Sequence, residues 1–143
     1  MKLNSNHMIY KQHDAQCSGP QLVLILCDGT IRYVRDAAEH LRNDRWVEKG
    51  IAVEAAFDCI SELRKTIDFQ EGGEVANTLD RNYDLLATKL SLANTDRNPE
   101  QFEQVAKAME TIRSSWNDLF QRLAAEGKLQ EQDIKPKTLD PVS

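Results

Sequence analysis

Apolar residues recur at intervals of three and four along most of this chain, the spacing that gathers them on one face of a helix. The cleanest run is Phe102, Val105, Met109, Ile112, Trp116, Leu119 and Leu123. Ala76, Leu79, Tyr83, Leu86, Leu90 and Ala93 form a second seam, and Val53, Ala56, Ile60, Leu63 and Ile67 a third. Ahead of these, Leu22-Val23-Leu24-Ile25-Leu26-Cys27 is apolar at every position and is followed at once by Asp28-Gly29. The pattern from Pro20 to Leu41 stays helical, so this first helix is apolar on almost every side. An edge helix of a small bundle needs only one apolar stripe. Either the first helix is central to the fold, or its outer faces wait for something outside this chain.

Breaks in the pattern set the boundaries. Ser18-Gly19-Pro20-Gln21 reads as a helix start, with Ser18 as cap, Gln21 as its capping-box partner, proline in the first turn and Gly19 as a competing cap. The first helix runs to about Arg42, and Asn43-Asp44 offers the cap for a second from Trp46 to about Asp68. Gln70-Glu71-Gly72-Gly73 reads as a turn, and the third helix covers roughly 74–94. Asn98-Pro99-Glu100-Gln101 starts the fourth, with cap, proline and capping-box glutamine in sequence. Links of only a few residues force antiparallel neighbours. The fold class expected is therefore all-α, an antiparallel up-down four-helix bundle over residues 18–126. Residues 1–17 are expected to form a flexible segment in which Met8, Ile9 and Tyr10 are an apolar island; residues 127–143, polar and with two prolines, are expected to be disordered.

Composition narrows the function. At 143 residues the chain is long enough to bury a core as one domain. A net charge of −5 with no basic stripe argues against a nucleic-acid partner, whose backbone demands clustered cations. No stretch approaches the roughly 20 apolar residues of a membrane span, and the first residues lack the apolar region of a signal peptide. A cytoplasmic location is expected. Cys17, Cys27 and Cys59, odd in number and widely spaced, fit reduced thiols, Cys27 and Cys59 as small core residues.

Advancing 100° per residue separates each seam from what lies outside it. In the first helix Val23, Thr30, Val34, Ala37 and Leu41 make the inward seam. Leu22, Ile25, Gly29 and Tyr33 line one flank, and Leu24, Ile31 and Ala38 the other. Val47 and Ile51 point away from the second seam; Leu85 and Leu92, seven residues apart, point away from the third. Contiguous exposed apolar surface usually marks a binding site, and an amphipathic helical segment is the matching partner. The candidate binding residues are thus Leu22, Ile25, Gly29, Tyr33, Val47, Ile51, Leu85 and Leu92, with Met8, Ile9 and Tyr10 as a displaceable cover. Gly29 strengthens the first flank, because a mid-helix glycine costs about 1 kcal/mol relative to alanine and often signals close approach by another backbone.

At these residues the chain resembles the flagellin export chaperones, the FliS-like proteins of bacterial flagella. Pro20 to Arg32, with its leucine-rich run and Asp28-Gly29, is similar to the family's first-helix signature. Gly72-Gly73-Glu74-Val75-Ala76-Asn77-Thr78-Leu79, followed by Tyr83-Asp84, resembles the start of its third helix. Ala93-Asn94 and a fourth helix containing Trp116 lie in register, so the similarity covers about residues 10–120. Departures are Gly19 in place of the usual serine, Cys27 in place of an aromatic residue and Leu85 where tyrosine often follows Tyr-Asp. The resemblance implies a chaperone that binds the disordered C-terminal segment of flagellin, one to one, prevents premature polymerisation and keeps the subunit ready for the flagellar type III export gate. It implies that the N-terminal segment covers part of the site, with Tyr10 at the family's tyrosine position. Whether the free protein forms a homodimer through its apolar flanks is left open by the sequence.

Other functions find little support. A di-iron bundle needs inward Glu-x-x-His pairs, and His40 has Ala37 three residues before it. His7, His13 and Cys17 match no common zinc spacing. Gly72-Gly73 lacks the Gly-Lys-Ser/Thr ending of a phosphate loop. No enzyme, cofactor or metal is expected. A histidine phosphotransfer bundle using His40 and a general helical adaptor or self-associating bundle remain as alternatives, the first disfavoured because His40 sits near the end of its helix.

Overall fold

Short links dictate the topology. A computed structural model describes residues 19–134 as α1 (Gly19–Arg42), α2 (Trp46–Lys65), α3 (Phe69–Asp96) and α4 (Pro99–Ala125), followed by a single 3-10 turn at Glu131–Asp133. Connections over residues 43–45, 66–68 and 97–98 are too short for anything but antiparallel neighbours, and the expected all-α four-helix bundle results.

The helix ends show which local signals act. Asp68 caps α3, its carboxylate accepting from the backbone N–H groups of Gln70 (3.1 Å) and Glu71 (3.0 Å). Asn98 caps α4 by accepting from Glu100 N–H at 3.0 Å, with Pro99 in the first turn as expected. The capping box does not close: the Asn98 backbone N–H donates to the Ala93 carbonyl at 3.4 Å, and the Gln101 amide donates to Asp96. Asn43 and Asp44 do not cap α2: the Asn43 amide turns back to the Glu39 carbonyl at 2.8 Å, and Arg45 occupies the cap position without a side-chain bond. The Gly72-Gly73 break falls where expected, yet one helical turn precedes it; Gly73, at φ 54° and ψ −127°, interrupts α3 after Phe69–Gly72. Ser18 lies outside the described residues.

α1 is the centre of the molecule. It packs extensively against α2 on one side and α4 on the other, whereas α3 meets α2 and α4 along thinner seams. Leu26, Cys27, Val34 and Ala37 of α1 are buried in one cluster with Ile60 and Leu63 of α2, Tyr83 and Leu90 of α3, and Phe102 and Met109 of α4. Thr30 is the buried polar residue of this core, and its hydroxyl donates to the Leu26 carbonyl at 2.8 Å. Only a strip of α1 containing Asp28, Arg32, Asp36 and Glu39 faces water. At its margins, Arg113 binds Asp28 at 2.8 Å and Arg35 binds Glu110 at 2.9 Å, clamping α1 to α4. Arg64 binds Asp80 (2.8 Å) and Asp84 (3.3 Å) between α2 and α3. Such solvent-screened pairs add little to stability and mainly fix register.

Beyond α4 the chain keeps order longer than its polarity suggests. Ile134 is buried, Leu129 packs against the core, and the Gln21 amide donates to the Gln132 carbonyl at 2.8 Å. Residues 128–134, expected to be part of a disordered tail, are thus held by two apolar side chains that a mostly polar composition masks.

Candidate functional site

The eight candidate binding residues separate by helix. Those on α1 are not surface. Ile25 and Tyr33 are each 7% exposed, Gly29 is buried, and Leu22 is half-buried against the core. Their expected outward flank is corrected by the position of α1: a helix flanked by α2 and α4 buries both margins of its seam, and the opposite margin, Leu24 and Ala38, is buried too. Those on the outer helices are exposed as expected: Val47 and Ile51 on α2, Leu85 and Leu92 on α3, the last two each more than half exposed. Met8, Ile9 and Tyr10 lie outside the described residues. His40 is half-buried, with its Nδ1 lacking a hydrogen-bond partner.

A concave apolar surface lies elsewhere on the described residues. Between α3 and α4 runs an open groove of about 540 Å³, with an apolar lining of Val75, Leu79, Ile112, Trp116 and Leu119. Glu74, Thr78 and Asn82 of α3 and Thr111 and Ser115 of α4 form its rims. It continues into a second cavity of about 330 Å³ at the end of the bundle, where Pro20 and Val23 of α1, Ile67, Ala76 and Phe120 complete the lining. Val75, Leu79 and Trp116 belong to both. The helical period placed Leu79, Ile112, Trp116 and Leu119 on inward seams, and inward they point, but the seam between α3 and α4 does not close over them. One signal was present: both helices flank this seam with short polar residues, Thr78 and Asn82 on α3 and Thr111 and Ser115 on α4.

Local chemistry fixes the groove's shape. The Trp116 indole N–H donates to the Tyr83 hydroxyl at 2.9 Å, and its ring stacks on Phe120 with centroids 5.3 Å apart. Tyr83 is fully buried; desolvation, and secondarily the nearby Cys27, pushes its hydroxyl far above the ordinary tyrosine range, so it stays neutral. Burial first, then the neighbouring Asp28, lifts the Cys27 thiol to about 12, leaving it a packing group rather than a nucleophile at neutral pH. The Gly73 break delivers Val75, 76% exposed, to the groove mouth. No group of three His, Cys, Asp or Glu side chains among the described residues could hold a metal ion, and no described helix is long and apolar enough to cross a membrane. What this surface offers is desolvation: a row of apolar side chains between polar rims, suited to the apolar stripe of a helical segment.

Fold and groove together define an all-α four-helix bundle with an open apolar groove on one side. A family profile described as flagellar protein FliS matches residues 3–123. Flagellar secretion chaperones resemble the chain over much of its length: that of Campylobacter jejuni is 28% identical over 120 residues, covering 83% of this chain and 94% of the relative. FliSB of Pseudomonas aeruginosa is 28% identical over 99 residues (69% and 79%), and the Salmonella typhimurium protein 29% over 100 residues (69% and 74%). The chain belongs to the FliS family.

Proposed function

We propose that this FliS-family protein, a flagellar secretion chaperone, holds the C-terminal segment of flagellin in the groove between α3 and α4. The observation that carries this reading is the open apolar lining of Val75, Leu79, Ile112, Trp116 and Leu119. A segment that orders on binding must offset several kcal/mol of lost conformational entropy. Seating about three or four Leu- or Ile-sized side chains, at about 1.5–3 kcal/mol each, is enough. Binding in the cytoplasm at one to one would keep the client from polymerising until the export gate receives it. No bond is made or broken, so the protein acts as a binder and not as an enzyme. The exposed Leu85 and Leu92, with Val47 and Ile51, would serve as outer contacts for a client longer than the groove, while Leu22, Ile25, Gly29 and Tyr33 support the scaffold from within. Residues 1–17 would cover part of the surface until the client arrives.

Titration with a peptide of flagellin's C-terminal segment tests the proposal. Saturable one-to-one binding with a gain of helical circular dichroism is expected, and no comparable affinity for an unrelated amphipathic peptide. Val75→Asp and Leu119→Asp should each weaken binding tenfold or more, about 1.4 kcal/mol, by placing a carboxylate in a desolvated contact. Equal affinity for both peptides, or an unchanged Kd in both variants, refutes the assignment.

A further inference from the structure

We infer that Tyr83 is a positioning residue for the client groove: from inside the bundle, its hydroxyl holds the Trp116 indole as the wall common to the groove and the end cavity. The inference rests on the groove being the client site and adds what determines its shape. Trp116 projects from α4 and Tyr83 from α3, so their 2.9 Å hydrogen bond crosses the seam that the groove occupies. Two constraints define the ring. Stacking on Phe120 at 5.3 Å, with planes 25° apart, supports one face. The hydrogen bond fixes the edge, and it is anchored on a side chain with no exposure at all.

These constraints are unequal. The stack is between residues of one helix and needs only a turn of α4. The hydrogen bond needs α3 and α4 at one particular separation, so it also sets the groove's width. An indole N–H that loses its partner in apolar surroundings carries a desolvation penalty and turns toward water. At this place, the side open to solvent is the groove. Loss of one buried oxygen therefore swings a large ring into the space a client side chain would fill, although Tyr83 itself touches no client atom.

The test uses the full chain carrying Trp46→Phe, which leaves Trp116 as the sole tryptophan. Adding Tyr83→Phe keeps every atom of the side chain except the hydroxyl. Its expected effect is a red shift of Trp116 emission with stronger acrylamide quenching, and about tenfold weaker binding of the flagellin peptide. In a double-mutant cycle, Tyr83→Phe should add little to the loss already caused by Trp116→Phe, because both act through one bond. Unchanged emission, or a lowered melting temperature with unchanged Kd, overturns the inference and leaves Tyr83 a packing residue. Should the unsubstituted chain fail to bind the peptide, the client reading falls, and the emission measurement alone still decides whether Tyr83 holds the indole.

Discussion

Replacing Leu26 by Ala probes the central position of α1 most directly, with Leu85→Ala as its counterpart. Leu26 is 1% exposed between α2 and α4, whereas Leu85 is 52% exposed on the outer side of α3. Removing three buried carbons at about 0.8 kcal/mol each costs about 2.4 kcal/mol in transfer free energy. Neighbouring helices held by their own contacts cannot collapse fully onto the gap, which raises the total to about 3–4 kcal/mol. The same substitution at Leu85 opens no cavity and improves helix propensity slightly, so it should stay within about 0.5 kcal/mol of zero. Urea unfolding followed by circular dichroism reads the difference: with a slope of about 2 kcal/mol per molar, the Leu26→Ala midpoint falls by about 1.5–2 M and that of Leu85→Ala barely moves. A loss below about 1 kcal/mol at Leu26 would show that the site relaxes as a surface does, and α1 would not be the core helix. A comparable loss at Leu85 would place that leucine inside.

Other consequences follow from backbone and titration. Gly73→Ala should destabilise by about 1–3 kcal/mol through backbone strain alone, since φ 54° and ψ −127° suit glycine and the added methyl meets nothing within 4 Å. Gly50→Ala, in the first turns of α2 and equally unobstructed, should stabilise by up to about 1 kcal/mol; thermal unfolding of both separates conformation from crowding. A thiol reagent at pH 8 should spare Cys27 and Cys59 in the native protein and label them after unfolding; rapid native labelling of either would contradict their burial. Because the Cys27 value is raised to about 12, the unfolded chain releases that proton first, and stability should fall as pH rises above about 8.5. The Arg64 hydrogen bond holds Asp80 below the ordinary aspartate value of about 3.9. That contribution is present above this value and lost as pH falls through the folded one; a carboxyl NMR titration should show the depression, and Arg64→Gln should abolish it.

The periodicity of apolar positions was enough for four helices, their order and their antiparallel sense, because helical spacing and short links are local properties of the chain. Capping was legible only in part. Asn98 and Pro99 act as their types suggest, whereas Asn43 found a nearer partner in Glu39 and left α2 without a side-chain cap. Neighbours in space, not residue type, decided between those outcomes.

Sequence alone also showed that α1 carries more apolar surface than one seam requires, and it correctly set Val47, Ile51, Leu85 and Leu92 on the outside. Which helix took the middle of the bundle was decided by tertiary packing, because a helical wheel measures direction around one axis and says nothing of how many neighbours surround it. With α2 and α4 on its flanks, α1 lost Ile25, Gly29 and Tyr33 to the core. The groove arose from the opposite circumstance: α3 and α4 approach along a seam edged by short polar side chains, so residues that point inward remain open to a partner. An inward direction is written in the order of residues; a closed interior depends on how far apart the helices come to rest.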